Sequence, residues 1–588
     1  MKFRSIKKWD APENSASLLY FAQLLEEMLF DFSLDTYKAS VLHAGLLCVE
    51  ALQTLDEVDA GNIAAPNINH VAAELYSNLE RDPVSIELLP LPVTSFAATL
   101  KNPKSSPKEV RGAVEILSVQ LSAARYLNKN QELLAAAIKN NKAPTELRRL
   151  SRSYITTLTA VGFSAKYIRE QSQDFFFFGK NRISDNSAID DFIKIFEEPN
   201  KNYKVVFRVE KLFEPFSEAF KPAGLEISKT FPAELDQKSH PSFLSPSEQL
   251  LFATATNIPA RDPYTARQIA EKRIKLCATL LNVFHHKGNP SWLTECIVHD
   301  TENNKTKLVK NPINPMHRCA DLVQPIASKK LQLFMSDFSL EKSSFAKFVR
   351  SAELHSMALG SNANENQIIN LWISLESLIP SESKSENSSN IEHIVGSLIP
   401  FLNERYIQNL LNNLVKDLLR WNKKEVIRIL RPIEGKKFID KLAKTLALPE
   451  HAAACNALES TFGNFHLLSD RFQYFKNILQ SPANVLSALD AHKVRLEWQI
   501  RRIYRARNII VHSGKTPSHT QPLIEHTHDY LDTVLSRLIE LASKPKSANS
   551  VAQGFKFVEM RYANYISNLK NAKSEFTKEN IHNLLFMY

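Results

Sequence analysis

Apolar residues recur at three- and four-residue intervals through most of this sequence. That period narrows the fold more than any other feature, because it lines up one apolar stripe along an α-helix and scatters the same residues over both faces of a strand. The spacing predicts helices over 18–30, 37–55, 110–126 and 146–161, with prolines 66, 83, 90, 92 and 103 marking the joints. A proline inside a helix removes a hydrogen bond and clashes with the preceding turn, so these prolines stand at helix ends. The same period returns from about Ser339, predicting helices over 345–359, 364–378, 391–403, 406–419, 437–446, 467–478, 485–511, 523–543 and 551–568. Only 13 glycines in 588 residues point the same way. A repetitive all-β chain needs many tight turns, and glycine-cradled phosphate loops need several glycines each.

Between Phe175 and Pro325 the texture changes. Short β-rich runs at 203–210, 225–231, 292–299 and 306–309 flank a helix expected over 264–285. The run Phe175 to Phe178, followed by Gly179 and Lys180, reads as buried aromatics entering a turn. The expected fold class is therefore mainly α, with an N-terminal helical region over 1–171, a smaller mixed α/β middle region over 172–335, a C-terminal helical bundle over 336–545 and a partly helical tail over 546–588. Residues 381–390 hold no apolar side chain and read as a mobile loop between two helices.

Bulk properties exclude more than they assign. The formal net charge of +10 gives a modest preference for polyanions. Five scattered cysteines do not make a disulfide framework, no apolar run follows the basic first residues, and no stretch is apolar enough to span a bilayer. A cytoplasmic protein without a membrane partner is expected. No Walker loop, Gly-x-Gly-x-x-Gly or Gly-x-Ser-x-Gly is present. Among Cys277, His285, His286, Cys296, His299, His317 and Cys319 there is no Cys-x2-Cys or His-x3-His pair, so neither a metal nor a cofactor is expected. The cluster Arg148, Arg149 and Arg152 reads as a solvated basic face, with phosphate contact as the alternative.

The segment 501–514, Arg-Arg-Ile-Tyr-Arg-Ala-Arg-Asn-Ile-Ile-Val-His-Ser-Gly, carries the main chemical signal. At about 100° per residue, Arg501, Arg505, Asn508 and His512 fall on one helical stripe, and the long Arg507 side chain is able to swing toward it. Ser513-Gly514 stops the helix. An imidazole moves a proton to or from a ribose hydroxyl, and a fixed guanidinium steadies charge on a phosphate. Spacing alone does not single out this pair, because Arg350 and His355 repeat it in another helix. Context does: only Arg507 is followed by an amide residue, and only His512 sits at a Ser-Gly stop.

Together with Leu-Trp-Ile-Ser-Leu-Glu-Ser-Leu at 371–378, this segment resembles the HEPN ribonuclease superfamily, in the ApeA-like branch found in bacterial anti-phage proteins. The match runs over roughly 339–544, and the family's arginine, polar residue and histidine fall on Arg507, Asn508 and His512. The resemblance implies a metal-independent endoribonuclease that works at a composite cleft between two such domains, hence a homodimer with an RNA substrate, released by a phage-derived or host trigger. In abortive infection or as a toxin, such an enzyme cuts cellular or phage RNA. It assigns Arg507, Asn508 and His512 to catalysis and Arg501, Tyr504, Arg505 and Glu376 to RNA binding or support, with Glu376 orienting Arg507 and Trp372 in the core. The alternative is a non-catalytic scaffold of the same fold that binds RNA or a partner chain. A DNA-binding regulator is weaker, since no helix-turn-helix is evident.

Overall fold

Four helices begin where the sequence supplies a cap followed by proline. Asp82 before Pro83, Ser106 before Pro107, Asp262 before Pro263 and Ser481 before Pro482 each accept a hydrogen bond from a backbone N–H in the first turn. Ser106 with Glu109 and Ser389 with Glu392 close reciprocal capping boxes. The computed structural model describes residues 2–33, 38, 42–233, 235, 241–244, 248–319, 321–384, 389–572 and 575–586. It is mainly helical, with one small sheet in the middle of the chain. Tyr37, expected to open a helix, and residues 385–388 of the expected loop lie outside the described residues; the helix that is described there is Ala44–Asp59.

The sheet is antiparallel, in the order β2-β3-β1-β4-β5, from β1 Lys201–Glu210, β2 Leu225–Ser228, β3 Leu250–Ala260, β4 Trp292–Asp300 and β5 Lys305–Lys310. Alternation sets its two faces. Tyr203, Val205, Phe207 and Val209 of β1 pack with the helix Pro263–Phe284, while Val206 joins Phe252 and Ile297 on the opposite side. Of the five strands, β3 has no counterpart in the sequence expectation.

Packing divides the helices differently from their order in sequence. One core joins side chains between Trp9 and Phe196 to side chains between Tyr406 and Leu489 and between Tyr565 and Phe586. A second core joins Met316, the helices Lys342–Gly360, Asn364–Leu378 and Asn390–Asn403, and side chains between Leu496 and Val558. The expected boundaries therefore need correction. Residues 406–489 pack on the N-terminal helices rather than inside a single 336–545 bundle, and Phe176, Phe192 and Phe196 belong to that first core rather than to the middle region. Ala548, Val551, Phe555 and Val558 complete the second core rather than forming a tail.

One helix serves both cores. Pro482–Ser513, 32 residues long, gives Val485 and Leu489 to the first core and Leu496, Ile500, Ile503, Ala506 and Ile510 to the second. Among the described residues no helix is long and apolar enough to cross a membrane. The aromatic run forms one turn of π-helix over Asp174–Phe178, with Phe176 fully buried against Trp9, Phe21 and Phe192 and Phe178 exposed.

Candidate functional site at the end of the long helix

The long helix ends as its sequence dictates. Gly514 takes a left-handed conformation, φ +66°, and its N–H donates to the carbonyl of Ile510 at 3.1 Å. Thr516 donates to Glu365 at 2.5 Å, and Lys515 lies 3.8 Å from Glu57, so the turn after the helix is tied both to the helix Asn364–Leu378 and to the N-terminal helix Ala44–Asp59.

In the last two turns Arg507 Nη1 donates to Asn508 Oδ1 at 2.9 Å. Asn508 is buried, Arg507 is half-buried, and Val511 and His512 face outward. Among the described residues the His512 side chain has no hydrogen bond or ion pair, and Arg507 has no carboxylate partner. A half-exposed guanidinium fixed by an amide, with an unengaged imidazole about 7.5 Å further along the axis, is able to receive a phosphate and exchange a proton with it.

The supporting residues fall elsewhere. Arg505, expected to contact RNA, is 2% exposed and donates to Glu50 at 2.7 Å. Its neighbour Arg502, 4% exposed, donates to Glu50 at 2.9 Å and to Glu74 of the helix Asn67–Leu79 at 2.6 Å. Burial pushes the Glu50 carboxyl up, but the guanidiniums of Arg502 and Arg505 outweigh it and hold the group well below the usual carboxylate range. Burial also lowers His519, to about 4, beside the same cluster. The role expected for Arg505 is therefore corrected: its face of the helix is covered by the N-terminal helices, and its charge is consumed there.

Glu376 is exposed and forms no hydrogen bond or ion pair with Arg507 among the described residues, so its expected orienting role is corrected as well. Tyr504 lies against Trp372, ring centroids 5.6 Å apart, and Trp372 is 1% exposed in the second core. Arg501 lines a separate recess with Glu392, Glu497 and Tyr562. The structure thus brings together Arg507 and Asn508 with His512 beyond them, and leaves the other four outside that group.

Two features were not anticipated from the sequence. One is the buried Glu50–Glu74–Arg502–Arg505 network, whose linear signal is weak: each glutamate lies among apolar residues in its own turn, Cys48, Val49 and Ala51 beside Glu50 and Ala72, Ala73 and Leu75 beside Glu74. The other is a cavity of about 360 Å³ between the two cores, lined by Arg148, Arg152, Arg471, Arg495 and Arg502 with Glu27, Glu74 and Asp470. Arg148 pairs with Asp470, Arg471 with Glu27 at 3.2 Å and Arg502 with Glu74, so much of its charge is balanced within its own walls. Arg148 and Arg152 accordingly line an internal joint rather than the solvated face expected, whereas Arg149 is exposed, as expected, and donates to the carbonyl of Arg81. Comparison with family models, with curated proteins and with solved structures gives no match.

Proposed function

We propose that the chain is an endoribonuclease of the HEPN type that cleaves RNA by attack of the ribose 2′-hydroxyl, at a cleft completed by a second copy of the same helix end. His512 moves the proton, Arg507 stabilises the phosphate charge and Asn508 fixes Arg507. The observation that carries this reading is the contrast along one helix: Arg502 and Arg505 are locked in buried ion pairs, whereas among the described residues Arg507 is held only by a neutral amide and His512 by nothing. Val511, 47% exposed beside His512, supplies an apolar contact for the second copy. The helices that carry Glu50 and Glu74 grip the same helix and are the part through which a trigger would act.

The test incubates the purified full-length chain with total RNA and maps the fragment ends. Fragments ending in 2′,3′-cyclic phosphate, lost in His512→Ala and in Arg507→Ala, are expected. Undiminished cleavage by a folded His512→Ala protein removes the assignment, and RNA binding without cleavage by the wild-type chain turns the reading into a scaffold.

A further inference from the structure

The second Arg-x4-His pair leads to a different site. His355 on the helix Lys342–Gly360 meets His528 and Asp532 on the helix Thr520–Ala542, which stand one turn apart on one face. His528 Nε2 is 3.4 Å from Asp532 Oδ2, and His355 Nε2 is 3.7 Å from Asp532 Oδ1. The two imidazole rings lie 4.9 Å apart, centroid to centroid. One ligand atom from each of the three residues lies within 4.8 Å of the others.

Proton sharing does not account for this arrangement. Both histidine–aspartate separations exceed the roughly 2.9 Å of a good N–H···O bond. Among the described residues His355 Nε2 is buried in the cluster with no hydrogen-bond partner, a position that is ordinarily costly. Ligands about 2.0–2.2 Å from a tetrahedral zinc ion stand roughly 3.3 Å from one another, close to the spacing of the two histidine–aspartate contacts. The turn Pro315–His317 packs on the helix of His528.

We propose that His355, His528 and Asp532 bind one zinc-class divalent transition-metal ion, which staples the helix Lys342–Gly360 to the helix Thr520–Ala542. Two imidazoles and a carboxylate suit zinc or its cobalt surrogate better than magnesium or calcium, which prefer all-oxygen shells. The site shares no residue with Arg507, Asn508 and His512, so it stands or falls independently of the nuclease reading.

The test uses the full-length chain, stripped with a chelator and reloaded with zinc or cobalt(II). Expected are about one equivalent of zinc per chain after gel filtration and the intense visible bands of tetrahedral cobalt. Asp532→Asn keeps the shape and should lose more affinity than the roughly 10–100-fold that follows loss of an outer-sphere partner. His286→Ala, a change to a histidine outside the cluster, should bind as the wild type does, and zinc should raise the melting temperature of the wild type but not of Asp532→Asn. Equal metal uptake by wild type and a folded Asp532→Asn, or the pale octahedral spectrum of aqueous cobalt in the wild type, overturns the proposal and leaves a hydrogen-bonded cluster only. If the variant does not fold, stoichiometry and the cobalt spectrum of the wild type decide.

Discussion

Arg350 with His355 and Arg507 with His512 share one spacing and two opposite surroundings. Arg350 is exposed and pairs with Glu353 at 3.4 Å, while its histidine turns inward to a second imidazole and a carboxylate. Arg507 is half-buried against an amide, while its histidine points outward and is unengaged among the described residues. Five-residue spacing on a helix thus fixes the rise between two groups and leaves open which way each one faces. The difference is made by what packs on each side: the helix Thr520–Ala542 over His355, and nothing among the described residues over His512.

The sharpest way to break that contrast is chemical. His512→Ala should lower the RNA cleavage rate by about 10²–10⁴-fold, measured on a labelled oligoribonucleotide, while the circular dichroism spectrum and melting temperature stay at wild-type values. A second experiment separates the gripped part of the long helix from its free end. Glu50→Ala leaves Arg502 and Arg505 without their shared carboxylate and should cost about 3–5 kcal/mol of folding stability, read from urea denaturation.

Buried imidazoles extend the comparison to pH. Burial pushes His43 and His492 down to about 3 from an ordinary 6.5, so both are neutral in the folded chain. His43 is wedged between Gly45 N–H, Thr157 and the ring of Tyr126, and His492 stacks on Tyr406 with Asn403 at 2.8 Å. In the unfolded chain both bind a proton as pH falls through about 6.5. Their contribution is present above that pH and is lost progressively as pH falls toward 3. Urea midpoints should therefore drop between pH 7 and pH 4.5, and His43→Gln should flatten the slope. The smallest effect belongs to Arg350→Ala, which removes an exposed pair and should change stability by less than about 0.5 kcal/mol and leave RNA cleavage as it was.

Most helices were legible from apolar spacing: Asn364–Leu378 has the expected bounds, and Pro482–Ser513 contains the helix expected over 485–511. Strand β3 was not. It lies between β1 and β2, and Leu251, Phe252, Ala253, Thr254 and Ala255 are all buried in succession, so it lacks the alternation that marks a half-exposed strand. The long predicted helix over 110–126 is two, Pro107–Gln120 and Ala123–Lys139, because Ser122 breaks the backbone between them. Of the site, the chain order showed Arg507, Asn508 and His512 near a helix stop. It did not show that the face carrying Arg502 and Arg505 is covered, because periodicity tells which residues are buried and not against what. His355, His528 and Asp532 escaped for a related reason: His528 and Asp532 stand one turn apart on one helix, but His355 meets them only where a second helix packs across.

The helix that belongs to both cores has a practical consequence for anyone who would dissect the molecule. Excising 336–545 as an independent fragment would strip 406–489 of the surface it rests on and strand Arg502 and Arg505 without their counter-charges. Such a fragment should be insoluble or molten, and the intact chain should melt its two halves in one step, with the long helix as their common spine.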